Sequence, residues 1–109
     1  MNIVKKEHYT LITPTENSFE SFMAVLDLKE FIHEHIILNL DSSFKINTTQ
    51  LDSLSEISIA KKEHKTSFII IAKGIEIDDL KDETLSVVPT LTEAEDTLEM
   101  DEIERDLDF

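Results

Sequence analysis

The sequence predicts an α/β domain with a mainly parallel sheet of four to five strands and helices packed against it. Three observations predict it. Two runs, His35 to Leu40 and Ser67 to Ala72, are almost wholly apolar yet too short for helices, as strands covered on both faces are. Segments with helical spacing of apolar residues lie on either side of those runs. The resulting alternation of strand and helix calls for βαβ units with right-handed crossovers.

The elements follow in order. Ile3 to Thr13 alternates loosely, with Val4, Tyr9, Leu11 and Ile12 suited to a strand or short hairpin that ends at Pro14. Pro14-Thr15-Glu16-Asn17-Ser18 is turn chemistry, with Ser18 as a helix N-cap and Glu20 in the first turn. Phe19, Phe22, Met23, Leu26, Leu28, Phe31 and Ile32 then predict a helix over roughly 18–33. After the strand His35 to Leu40, Thr48 and Thr49 precede Leu51, Leu54, Ile57 and Ala60 at helical spacing, and Asp52 gives a weak variant of a capping box. Lys61, Lys62 and Lys65 load the end of that helix with the charge its dipole favours.

Phe68-Ile69-Ile70-Ile71 is the clearest strand, closed by Lys73 and the only glycine, Gly74, which is expected in a backbone conformation other residues avoid. Ile75 to Asp82 reads as one or two helical turns. Leu85 to Val88 reads as a last strand, with Pro89 ending it or marking an edge. Thr92-Glu93-Ala94-Glu95 has the form of a capping box and opens an acidic helix over about 92–107. Ala94, Leu98, Ile103 and Leu107 share one side of it, and its later acids oppose the dipole, so its end is expected to fray near Phe109.

The 109 residues fit a single domain spanning 1–109, with 40% hydrophobic residues to form a core. Twenty-four acidic against ten basic residues give a formal charge of −14. That balance argues against nucleic-acid backbones and anionic membrane surfaces, and suits a protein partner with basic charge. With no cysteine there is no disulfide frame and no thiolate chemistry. The start of the chain lacks the apolar segment of a signal peptide, and no run approaches the roughly 20 apolar residues of a membrane span, so the expected location is the cytoplasm.

No catalytic arrangement emerges. His33 and His35 have metal-like spacing but straddle a helix-to-strand boundary without an evident third ligand, and His8 and His64 stand apart. The acids from Glu93 to Asp108 lack a glycine-turned calcium loop and read as a solvated face or a surface for a basic partner. Asp41, Ser42 and Ser43 lie in no G-x-S-x-G elbow, and there is no phosphate-binding glycine loop. The expectation is a non-enzyme without metal or cofactor. Thr48 and Thr49 are open to two readings, a regulatory phospho-acceptor pair or helix caps.

The strand Ile37-Leu38-Asn39-Leu40, the loop from Asp41 to Ile46 and the helix start Asn47-Thr48-Thr49-Gln50-Leu51 together resemble the STAS domain (sulfate transporter and anti-sigma factor antagonist). That family carries a V-L-D-L-type strand, a short loop and then D-S-S-G-L. Its frequent F-P-T-x-x-E-A segment is similar to Val87-Val88-Pro89-Thr90-Leu91-Thr92-Glu93-Ala94. The resemblance covers nearly the whole chain and implies a STAS-like β-α superhelix. In bacterial antagonists of the family the first serine of the motif is phosphorylated by a kinase that is also the anti-sigma factor. The matching position is Thr48, with Thr49 as the alternative. Asn47 stands where the family has an acid and Gln50 where it has glycine.

The resemblance implies a non-catalytic, regulatory protein-interaction domain. Its partner would be a kinase-type anti-sigma factor or an enzyme, with no nucleic acid or membrane. Contact is expected through Asp41, Ser42, Ser43, Asn47 and Gln50, and a phosphate at Thr48 would act as the switch. A second expectation from another class is an acidic accessory subunit of an RNA-processing (ribonuclease Z-associated) or other metabolic enzyme, its final helix meeting a basic patch. The chain lacks the H-x-H-x-D-H cluster with which such a nuclease itself holds zinc.

Overall fold

A computed structural model describes residues 1–27, 31, 33–40, 44–75 and 85–107. The elements are β1 (Asn2–Lys5), β2 (Thr10–Thr13), α1 (Phe19–Val25), β3 (Ile36–Asn39), α2 (Thr48–Asp52), α3 (Ser55–Glu63), β4 (Phe68–Ile71), β5 (Ser86–Val88) and α4 (Leu91–Leu107). The five strands form one sheet in the order β1-β2-β3-β4-β5. β1 and β2 are an antiparallel hairpin, and every later neighbour is parallel. The loose alternation of Ile3 to Thr13 is therefore the hairpin, and the two all-apolar runs are the central strands.

Strands that add side by side in one direction through right-handed crossovers place their connecting helices on one face. That face is the larger core. Ile12, Ile36, Leu38, Phe68, Ile70 and Val87 from the sheet pack with Phe19, Phe22, Phe31, Leu51 and Leu54. The opposite face carries Ile37, Ile69 and Ile71, covered by Ala94 and Leu98 of α4.

Three boundaries differ from the sequence expectation, each for a local reason. α1 begins as expected, with Ser18 Oγ accepting from Ser21 N–H at 3.1 Å, but it stops at Val25. Leu26 turns extended (φ −83°, ψ 117°) and still packs on the core. Phe31 reaches the same core from beyond the helix, so the apolar period out to 33 merged two segments. Leu28 and Ile32 lie outside the described residues.

The single helix expected after Thr48 is two. Ser53 Oγ donates to the Gln50 carbonyl, and Leu54 N–H bonds the Leu51 carbonyl three residues back. Such side-chain bonding to the preceding turn competes with the α ladder. α3 ends in a left-handed Lys65 (φ +60°) with Thr66 N–H returning to the Lys61 carbonyl at 2.9 Å and Lys65 N–H to that of Lys62 at 3.0 Å. This is a Schellman closure with lysine in the place glycine usually takes.

α4 is capped two residues earlier than expected, because Thr90 Oγ1 accepts from Glu93 N–H at 3.2 Å. Its inward face continues from Ala94 and Leu98 to Asp101 and Arg105, while Ile103 is 47% exposed. Gly74 has φ +72°, and an added Cβ there would meet no atom within 4 Å. The backbone conformation, and not lack of space, is what selects glycine. The helical turns expected within 75–82 fall almost wholly outside the described residues, as do Asp108 and Phe109. No helix among the described residues is long and apolar enough to cross a membrane.

Candidate partner-binding surface at the carboxyl end of the sheet

In parallel α/β sheets the crevice outside the carboxyl ends of the strands is the usual place for a ligand. Here that end is formed where β3 runs out through Leu40 and β4 through Lys73 and Gly74. Phe44 folds back from the loop after β3 and sets its ring 6.2 Å from Phe19 and 6.3 Å from Phe22. Ile46 joins the same cluster. Between the two strand ends lies a cavity of about 430 Å³, lined by Leu40, Phe44, Lys45, Ile46, Lys73 and Gly74. Two lysines of a strongly acidic chain thus line one recess of mixed polar and apolar surface. That combination suits a partner group with an apolar body and a carboxylate or phosphate.

Asn47 closes this loop. Its Oδ1 accepts from Gln50 N–H at 2.8 Å, and Gln50 Oε1 accepts from Asn47 N–H at 3.1 Å. The two residues form a reciprocal capping box, so the cap is Asn47 and not Thr48 or Thr49, and the box closes on Gln50 in place of Asp52. Thr48 and Thr49 become the first two helical residues, Thr48 half-buried and Thr49 exposed. Of the residues expected to bind a partner, Asn47 and Gln50 are brought together but spend these groups on one another. Asp41, Ser42 and Ser43 lie outside the described residues.

The amino ends of the same strands are built differently. Lys61 is only 1% exposed, and its Nζ donates to the carbonyls of Phe31, at 2.9 Å, and Glu34. Burial pushes this ammonium down to about 8, against an opposing pull from Glu34 and with a smaller push from Arg105. The Glu34 carboxylate accepts from Thr10 Oγ1 at 2.9 Å and lies 3.5 Å from Lys5 Nζ. His35 Nδ1 accepts from Ser67 N–H at 2.9 Å, and Ser67 Oγ bridges Asp101 Oδ2 (3.0 Å) and Arg105 (2.7 Å). Desolvation foremost, then Arg105, hold His35 below its ordinary value, with Glu102 opposing.

His33 and His35 do not act together. His33 stacks edge-on with His64 at 5.0 Å, whereas His35 faces Ser67. The expectation that His64 stands apart is corrected by that contact. Among the described residues no group of three or more His, Asp or Glu could hold a metal ion.

The sequence reading gave Lys61 only a dipole role at a helix end, without its burial, and missed the Lys45–Lys73 recess. The first had a signal, since Leu54, Ser58 and Lys61 share one buried helix stripe. The second had none, because its two lysines are 28 residues apart in sequence and meet only through the pairing of β3 with β4. No family model matches this sequence, and no curated protein matches it significantly.

Proposed function

We propose that the chain is a STAS-like, non-catalytic interaction domain that binds a partner protein through the segment from Asp41 to Gln50 and the adjoining recess. Phosphorylation at Thr48, or at the more exposed Thr49, would switch that binding. The observation that supports the reading is the placement of the segment's described part, residues 44–50. It follows β3 at the carboxyl end of a sheet whose parallel strands neighbour each other in chain order. The sequence resemblance falls on the same stretch. Recognition surfaces on α/β scaffolds are commonly loops held at that end by rigid strands. A phosphate on Thr48 adds a charge of about −1.5 to −2 beside a lysine-lined recess and disfavours an acidic partner surface.

A second reading, an acidic accessory subunit of an enzyme, is favoured by the carboxylates along α4 and predicts binding that weakens steeply with salt. The test is capture of the full chain with its partners from its native cells, followed by mass spectrometry of the complex. A co-purifying kinase with phosphate on Thr48 or Thr49, lost on Thr48→Glu and Gln50→Arg, supports the switch. A captured partner retained unchanged by both variants removes the loop from the interface and leaves the accessory reading.

A further inference from the structure

The face of the sheet under α4 is covered at one side only. Val4, Leu11, Ile37 and Ile69 form a row across four strands, since Val4 pairs with Leu11, Leu11 with Ile37 and Ile37 with Ile69. Val4 is 38% exposed, Leu11 half-buried, and Ile37 and Ile69 are 0% exposed. α4 therefore lies over β4 and β5, reaches Ile37 of β3, and leaves Val4 of the hairpin exposed. Beside this row, between α4 and the hairpin residues His8 and Tyr9, lies a groove of about 340 Å³ that Leu98 also lines. Its α4 wall is Glu95, Glu99 and Glu102, spaced i, i+4, i+7 and hence one stripe of the helix. Tyr9 Oη donates to Glu95 Oε2 at 3.2 Å and fixes the first of these carboxylates at the rim. Burial and the Glu95 charge raise the Tyr9 phenol further above its ordinary value, so it stays a neutral donor.

From this juxtaposition we infer that the groove between α4 and the β1–β2 hairpin docks a basic amphipathic helix of a partner protein. The occupant's apolar stripe lies on Val4, Leu11 and Tyr9, and its Lys or Arg side chains face Glu95, Glu99 and Glu102. The dimensions fit one helix. Two strands side by side offer a width of about 10 Å, and a helix with its side chains is about 10–12 Å across. The charge selects the occupant. A second copy of this chain would bring its own −14 against the same wall and is repelled, whereas a cationic stripe at i, i+4, i+7 complements it. The one lysine of β1, Lys5, is spent on Glu34 at the far side of the hairpin. Four-residue strands contact only two to three turns of helix, so the complex belongs to the small, weak class of interfaces. This surface is separate from the Asp41–Gln50 segment, and the inference stands or falls independently of the proposed switch.

The test uses the full chain, isotope-labelled, titrated with a synthetic leucine–lysine amphipathic helix about four turns long and followed by NMR. Shift changes are expected at Val4, Tyr9, Leu11 and residues 95–102. Glu95→Gln/Glu99→Gln/Glu102→Gln is expected to weaken binding about tenfold, as loss of three exposed charge pairs implies. Glu93→Gln/Asp96→Asn/Glu104→Gln removes the same charge from other faces of α4 and is expected to leave binding within about twofold. Val4→Ser, at an exposed site where folding is not at stake, is expected to weaken binding with all charges intact. Equal weakening by the two triple variants, shifts centred elsewhere, or no binding at millimolar peptide would each overturn the inference.

Discussion

The two ends of the parallel strands are opposites. At the amino ends a chain of bonded polar groups joins Lys61, the Phe31 and Glu34 carbonyls, Thr10, His35, Ser67, Asp101 and Arg105. At the carboxyl ends an open recess of mixed surface lies between Leu40 and Gly74, with Phe44, Lys45, Ile46 and Lys73 along it. Buried polar groups are costly unless they are bonded, and bonded networks fix one geometry. The amino end therefore holds the strands in register, while at the carboxyl end the loop is held by its own cap and by Phe44 and Ile46 against the core.

That contrast can be broken most sharply at Lys61. Lys61→Met keeps the apolar stem but takes the lysine donor from the Glu34 carbonyl and leaves the Phe31 carbonyl only the Glu34 N–H, and is expected to cost about 1–3 kcal/mol in urea unfolding. The lysine also gives stability a pH slope. Its folded value, about 8, lies below the usual 10.5, so the unfolded chain holds more protons between those limits. Stability contributed by this group rises as pH climbs through that window, and the slope should be missing from Lys61→Met. A carboxyl-end change of comparable cost to Lys61→Met would remove the contrast.

The next largest effect belongs to the cap. Asn47→Ala breaks the reciprocal bonds with Gln50 and is expected to cost about 1 kcal/mol by the same unfolding measurement. Thr48→Ala and Thr49→Ala, which do not supply the cap, should cost less.

His35 sharpens the comparison through pH. Its Nδ1 accepts the Ser67 N–H, so that nitrogen must stay unprotonated, and its folded value is depressed. As pH falls below 6.5 the unfolded chain takes up the proton first, and stability is lost until pH passes below the folded value. His35→Asn offers an oxygen in place of Nδ1 and does not titrate. Its unfolding free energy should be flatter than that of the parent from pH 7 to 5. The groups facing this imidazole, Arg105, Asp101 and Glu102 from α4 and Lys61 from α3, remain in both chains, so the difference isolates His35.

The smallest effect is expected at the recess wall. Lys45→Ala should change stability by no more than about 0.5 kcal/mol, as exposed substitutions usually do, while weakening capture of any partner that uses the recess.

Most of the architecture was legible because it rests on short-range pattern. Continuous apolar runs marked β3 and β4, Ser18 marked the start of α1, and Pro89 ended the edge strand β5. The sites were less legible because they depend on long-range contact. α4 was read with Ile103 inward, yet the true inward series is Ala94, Leu98, Asp101, Arg105, in which polar residues occupy core positions because Ser67 meets them there. Hydrophobic periodicity cannot register a stripe whose second half is polar. The cap moved to Asn47 because asparagine, serine and threonine compete for one role on nearly equal terms, and Gln50 decides between them by reaching back.

The chain-order arrangement of the strands also bears on how the molecule assembles. Each strand hydrogen-bonds to the strand made just before it, so no segment waits for a distant partner to be synthesised. Loop-closure entropy grows only slowly with loop length, so pairing each strand with its chain neighbour keeps that cost moderate even though parallel pairing is non-local. The sheet can thus grow strand by strand as the polypeptide emerges from the ribosome. α4 is the last element in the chain, so Ile37 and Ile69 keep an uncovered face until it is made.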